Sequence, residues 1–346
     1  SYYTERSPDF TVQQMIEKAK ILSERQLPTA AWKLIQKAKQ EALKNELFPE
    51  ALQVFEIERK IIYMDTEVYA QLMRGNFAEE KNSIEKHNNL MEYKQLYSKM
   101  YSVYGKNLVT RNKQTAAFFR KILKHSLLQN ESSAVSFRAK YHFHFLNGRC
   151  YSYLDNIEKS YEHAQKLLLM FESAPMISGF MKMYVSTLHQ TAMAQIVLGK
   201  LTDAMQNIRK IRDIGKLYPQ FSKSIPPELL FKHSVATETH LYLLIPDYEG
   251  GVKEIPRIES GLKKFQRTLP KQTQYAAYYN IALLYFGTGD YHKALTWINR
   301  ILDENKDEYT LDLICGSKIL FLIIHLELEN EDLLEYKTLS TLAFDK

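Results

Sequence analysis

The chain has 346 residues, of which 25% are charged and 45% hydrophobic, with a formal net charge of +6; that is enough to bury one large core or two ordinary ones. Its twelve glycines and ten prolines come to about half of the usual ~12% share. No proline stands between residues 50 and 174, so sandwiches, barrels and disorder are excluded in favour of long helices. The charge admits acidic partners but falls short of the basic balance that nucleic acid demands.

The N-terminus, SYYTERSPDF, has neither a basic start nor an apolar run, so no signal peptide is visible. Residues 10–46 read as a helical hairpin through Met15, Ala19, Leu22, Ala31, Ile35 and Ala38. Two long helices are then expected over 49–73 and 77–105. The second carries Leu90, Tyr93, Tyr97, Met100 and Tyr104 at spacings of three and four, a core-facing stripe too short for a dimeric coiled coil. Lys106 to Asn112 reads as a loop. Further helices are expected over 113–128, 132–154, 157–173, 178–198, 201–216, 226–245, 248–267, 272–287, 291–304, 308–328 and 331–342. Pro256 should kink or restart the helix that holds it. The longest apolar run, Ile319 to His325, is far too short to span a bilayer. The last predicted helix carries Leu333, Leu334, Tyr336, Leu339 and Leu342 with no polar outer face, which suggests a fragment of a longer protein.

Internal repeats organise these helices. Around Ala294 the order is Tyr278, Ile281, Ala282, Tyr285, Gly289, Asp290, Tyr291, Ala294, Ile298 and Ile301. The first helix offers a large and a small residue, a glycine closes the turn, and Ala294 sits where two backbones come closest. This spacing resembles the tetratricopeptide-repeat (TPR)-like superfamily of α-solenoids, with Ile301 standing where that family prefers a small residue. Weaker matches centre on Ser160, Ala204 and Gly251, at spacings of 44, 47 and 43 against the 34 of standard repeats. The resemblance implies an all-α, right-handed α-solenoid of about seven helical hairpins, TPR-like with long repeats of 43–47 residues. An N-terminal helical region, 1–107, holds one degenerate repeat and a long helix pair; a TPR-like repeat region, 108–346, continues from it.

Motifs for catalysis are missing: there is no GxSxG, HExxH or complete phosphate or dinucleotide loop. Acidic pairs such as Glu79-Glu80 diverge along a helix. Cys150 and Cys315, 165 residues apart, suggest neither a disulfide framework nor a zinc cluster, and a reduced, cytoplasmic protein follows. No catalytic residue, metal or cofactor is expected.

In TPR proteins, positions 2, 5, 9 and 12 of each first helix line a concave groove. The resemblance places His142, Phe145 and Arg149 there, followed by His189 and Met193, His233 and His240, and Tyr279, Leu283 and Phe286, with Ser152, Ser186, Ile196, Ala236, Leu243 and Ala276 at the remaining positions. No acid falls among them. Such a groove is apolar, aromatic and weakly basic, and suits a peptide or helix bearing apolar and acidic side chains, with Arg149 as anion anchor. Filling by the chain's own helices is the competing reading. A metal is disfavoured because His233 and His240 are about 10 Å apart along a helix, while His142 and His144 face different sides. The Lys and Asn of the carboxylate clamp known in TPR proteins are replaced, so chaperone-tail recognition is not expected. Two basic clusters, Arg111, Lys113, Arg120, Lys121 and Lys124, then Arg209, Lys210, Arg212 and Lys216, are read as mixing helix faces on a solvated surface. The reading is a non-enzymatic protein–protein interaction scaffold with no membrane role. The alternatives are a peptide-sensing regulatory module of a larger signalling protein and, as the weaker option, a nucleic-acid-binding helical repeat.

Overall fold

A computed structural model describes residues 7–62, 66–104, 113–173, 178–222, 225–304 and 311–330. Among them are fourteen α-helices and no strand: α1 Pro8–Glu24, α2 Pro28–Lys44, α3 Phe48–Ile62, α4 Thr66–Tyr104, α5 Lys113–Leu123, α6 Phe137–Tyr153, α7 Ile157–Ser173, α8 Met181–Val197, α9 Leu201–Leu217, α10 Pro227–Leu244, α11 Tyr248–Phe265, α12 Lys271–Gly287, α13 Tyr291–Glu304 and α14 Leu311–Glu327. Consecutive helices pack as neighbours, and α4 meets α6, α10 meets α12 and α12 meets α14, an arrangement consistent with a solenoid. The loop expected at 106–112 and the helix expected at 331–342 lie outside the described residues, as does Arg111.

One turn recurs along the chain. After α1, α2, α6, α8, α12 and α14 a single residue takes positive φ: Gln26, Glu46, Asp155, Gly199, Gly289 and Glu329. In each case the next amide donates five residues back, as in Leu27 N to Leu22 O (3.0 Å), Asn156 N to Tyr151 O (3.0 Å) and Asp290 N to Tyr285 O (3.0 Å). This is the six-to-one bond of a Schellman cap, which satisfies a terminal carbonyl and reverses the chain. Glycine adopts this conformation freely at 199 and 289, at φ of 72° and 78°.

The chain divides into two compact units, one of residues 1–194 and 214–226, the other of 195–213 and 227–346. In the first, Val12, Ile16, Ala31, Ile35, Val54 and Phe55 make a core between α1, α2 and α3. A second core joins Tyr93, Leu96 and Met100 of α4, Phe119 and Ile122 of α5, and Phe143, Leu146 and Cys150 of α6. Long-range polar ties reinforce it. The Glu46 carboxylate accepts from the first two amides of α6, Phe137 N at 2.7 Å and Arg138 N at 2.8 Å, where the helix dipole favours an anion. Arg138 donates to Asn45 O (3.1 Å) and lies over the Phe180 ring. Glu58, only 3% exposed, accepts from Lys39 (3.2 Å) and Asn76 (2.6 Å).

The expected pair of helices over 49–73 and 77–105 is corrected to α3 and a single 39-residue α4. The break expected near Arg74-Gly75-Asn76 does not form. Gly75 sits in open space, and Asn76 is buried and held by Phe55 O (3.2 Å), Glu58 and Arg59 (2.8 Å), so tertiary contacts carry the helix through two weak helix formers. On α4 the stripe at Leu90, Tyr93 and Met100 is core, as expected.

The second unit holds three of the small residues on which the expected repeats centre. Ala204, Ala282 and Ala294 are fully buried, and Gly251 lets α12 approach so closely that a Cβ there would lie 2.6 Å from Leu284. Helix α11 runs through Pro256 without restarting. Glu238, 1% exposed, is paired by both Arg212 and Arg257, with Glu254 2.8 Å from Arg257. Buried charges persist only when paired in this way.

Candidate binding face

Helix α6 begins at Ser136, whose hydroxyl accepts from Ala139 N at 3.1 Å, so its register is fixed from the first turn. One side of it carries Ala139, Phe143, Leu146 and Cys150 into the core. His142, Phe145 and Arg149, spaced three and four apart, fall on the adjoining side and are half-buried. This is the side that α4 approaches. The Tyr97 ring lies 5.9 Å from His142 and 5.7 Å from Phe145, and the Arg149 guanidinium sits over Phe145 at 5.4 Å, within cation–π range. Part of the face assigned to a ligand is therefore covered by the chain's own helix. Sequence reasoning placed Tyr97 on a core stripe and had no signal that it would meet a helix 45 residues later.

Burial, with Lys94 and Arg138 nearby, pushes the His142 imidazole down to about 4, and its Nδ1 has no hydrogen-bond partner. Burial also lowers His240. The weakly basic character expected of these positions is thus corrected at both: desolvation keeps the two rings neutral, and the cationic charge on this side of α6 belongs to Arg149. Beside them the Tyr141 hydroxyl is hydrogen-bonded to Ser186 and is pushed by burial up to about 12. On α8, His189 and Met193 are half-buried.

In the second unit the positions fall on α10 and α12. His233 and His240 of α10 are half-buried while Ala236 between them is exposed. Asn280 donates to Thr239 Oγ1 at 3.0 Å, holding α12 against α10. Tyr279, Leu283 and Phe286 flank the repeat core without entering it; the Phe286 ring lies 5.4 Å from Tyr291, and a Cβ on Gly316 of α14 would lie 3.2 Å from the Tyr279 hydroxyl. The ten residues singled out are thus half-buried, while of the six remaining groove positions Ile196 is buried and Ala236 exposed.

A polar cluster escaped sequence reasoning. His144, on the opposite side of α6 from Arg149, meets His163 of α7 with the two Nδ1 atoms 3.0 Å apart. Its Nε2 lies 3.4 Å from Glu131, and Tyr151 stacks on His163 at 5.8 Å. With Nε2–H of His144 donating to Glu131, His144 Nδ1 is the acceptor and His163 Nδ1 the donor. Burial lowers both rings, His163 to about 4. Only the fold brings residues 131, 144 and 163 together, so no sequence spacing announced them.

Among the described residues no group of three His, Cys, Asp or Glu could hold a metal, and no helix is long and apolar enough to cross a membrane. Cys150 is buried, its thiol pushed up to about 12 by desolvation, and Cys315 is exposed; both are free. The basic clusters separate. On α9, Arg209 and Lys216 are exposed while Arg212 turns to Glu238, mixing faces as expected. On α5 the expectation is corrected, because Lys113, Arg120, Lys121 and Lys124 are all exposed along one face while Thr115, Phe119 and Ile122 are buried. The 3.6-residue period had aligned the cations opposite the core. No protein-family model matches the chain, and no curated protein matches it at a significant level.

Proposed function

We propose that the protein is a non-enzymatic interaction scaffold built of TPR-like helical hairpins, about seven in a right-handed solenoid, that holds a peptide or helical segment of a partner against the first helices of its pairs. The observation that carries this reading is the uniform half-burial of the ten assigned residues. A fold spends such positions either on a neighbouring helix, as Tyr97 occupies His142 and Phe145, or on a ligand that completes their burial. In the first unit the anchor is Arg149, whose guanidinium can pair with a partner carboxylate, supported by His189 and Met193. In the second it is the aromatic and apolar set Tyr279, Leu283 and Phe286 beside His233 and His240. Rigid aromatic and arginine anchors are the residue types that dominate protein interfaces. Two free cysteines, one of them exposed, fit a reducing, cytoplasmic setting.

The test uses Arg149→Glu and Tyr279→Ala, one in each unit. Partners captured by the wild-type chain and identified by mass spectrometry are purified and titrated directly against each variant. Binding should fall at least about tenfold in one or both variants, the loss expected of a hot-spot anchor, while far-UV helicity is unchanged. Full affinity in both folded variants would overturn the assignment.

A further inference from the structure

On four helices of this protein an exposed cation has an acid one turn away: Lys20 with Glu17, Lys60 with Glu56, Arg257 with Glu254 and Lys293 with Asp290. Helix α5 is different. Its eleven residues contain Lys113, Arg120 and Lys121 and no acid, and Lys124 follows at its end. The exposed positions are Lys113, Gln114, Ala117, Arg120, Lys121 and Lys124, a single stripe about 16 Å long at 1.5 Å per residue. Among the described residues no carboxylate pairs with any of its four cations. His125, next in the chain, borders a polar cleft of about 220 Å³ lined also by Lys99, Gln95, Ser126 and Glu92.

Folding alone does not account for this face. Like charges three and four residues apart repel. The helix dipole favours Arg120, Lys121 and Lys124 in the last turn but opposes Lys113 in the first. A partner that brings negative charge along the whole stripe would relieve both.

We propose that the exposed face of α5 docks an acidic helical segment of a partner protein, whose carboxylates recur every three or four residues and meet Lys113, Arg120, Lys121 and Lys124. The chemistry of the face selects this occupant. The stripe is one helix wide and has no exposed aromatic side chain, whereas single-stranded nucleic acid is held by stacking platforms beside its basic groove. Of its large apolar residues, Phe119 and Ile122 are buried and Phe118 and Leu123 are partly buried against the same core, so none is fully exposed to insert into a lipid surface. A second helix carries its own charges at the same spacing and can match the stripe turn for turn. This surface is distinct from the half-buried face above and does not depend on it.

The test is anisotropy of the full chain with three labelled probes: an alanine-based helical peptide carrying glutamates at alternating three- and four-residue spacing, a single-stranded RNA oligonucleotide, and phosphatidylcholine–phosphatidylserine vesicles. Three proteins are compared: wild type, the variant Lys113→Glu, Arg120→Glu, Lys121→Glu, Lys124→Glu, and a control of equal net charge, Lys18→Glu, Lys33→Glu, Lys37→Glu, Lys44→Glu, at exposed positions of α1 and α2. Wild type and control should bind the peptide more tightly than the other probes and lose affinity as salt rises. The α5 variant should bind it at least about tenfold more weakly, the equivalent of ~1.4 kcal/mol. Equal loss in both variants would reduce the effect to net charge and overturn the proposal, as would full binding by the α5 variant or tighter binding of RNA or vesicles. If the reversal unfolds the chain by circular dichroism, Lys113→Gln with Lys124→Gln should weaken peptide binding several-fold, and unchanged affinity would overturn the proposal equally.

Discussion

Among the described residues each unit buries one carboxylate almost completely, and the two solve the problem differently. In the first, Glu58 sits between α2 and α4, with Lys39 supplying the charge and Asn76 a neutral donor; Lys39 pairs with Glu79 as well. In the second, Glu238 stands between two arginines from α9 and α11, and Glu254 reaches the same pair. The first network shares its charges with solvent-facing groups. The second concentrates two guanidinium groups on one anion, and burial together with the neighbouring Arg257 already lowers the Arg212 guanidinium. In the second unit two arginines therefore share the buried Glu238 and the partly exposed Glu254, while in the first a single lysine bridges two acids.

Removing the carboxylates breaks the comparison most strongly. Glu238→Ala leaves Arg212 and Arg257 facing one another with only Glu254 between them, and should cost about 3–5 kcal/mol. Glu58→Ala leaves Lys39 with Glu79 and should cost about 2 kcal/mol, mostly the desolvation of unpaired donors. Urea unfolding of the two variants would measure both values, and equal losses would show that the extra arginine carries no weight.

Acid sharpens the contrast from the other side. His142, His144 and His163, all in the first unit, are lowered chiefly by burial, His142 and His163 to about 4; in the second unit His240 is lowered as well. A histidine whose folded value lies below the unfolded 6.5 contributes its full stability above pH 6.5. That contribution is lost as pH falls from about 6.5 towards about 4, because the unfolded chain takes up the proton first. For half-buried His142 the loss is at most about 3 kcal/mol. Around the His144–His163 pair, Glu131 favours protonation while Lys140, Lys159 and Lys166 oppose it. Protection factors from hydrogen exchange, which remove the pH dependence of the intrinsic rate, should therefore fall in α6 and α7 between pH 6.5 and 4.5 before they fall in α12 and α13. His142→Phe with His163→Phe should flatten the response.

How much of this was legible beforehand depended on how local the cause was. Helices α7 and α13 lie where periodicity places them, and Gly289 and Ala294 do what the repeat spacing implies. Helix α4 was misread because Gly75-Asn76 looks like a break, and only Glu58 and Arg59, on another helix, show that it is not. The helix period sets which of the assigned residues share a side, while their assignment to a ligand-binding face rests on the resemblance alone. That Tyr97 would lie on His142 and Phe145, or that Glu131, His144 and His163 would meet, depends on how distant helices cross. No spacing within one helix encodes that crossing.

The smallest effects come from glycines within helices and discriminate most finely. Gly75 in α4 faces open space, so Gly75→Ala removes backbone freedom from the unfolded chain and meets nothing in the folded one. It should stabilise the protein by about 0.5–1 kcal/mol. Gly261 in α11 presents the reverse case, because a Cβ there would lie 2.0 Å from Cε2 of the Phe231 ring. Phe231 is packed against the repeat core beside Phe265, 5.4 Å away, so it cannot yield without disturbing that contact. The same gain in helix propensity is then outweighed by overpacking of about 1–3 kcal/mol, and Gly261→Ala should lower the melting temperature. Opposite signs from one substitution would confirm that α4 leaves its weak point outside its packing, whereas the repeats use glycine as a point of contact. A stabilised Gly261→Ala would mean that Phe231 has room to turn, and that the second unit is more loosely packed than its core residues imply.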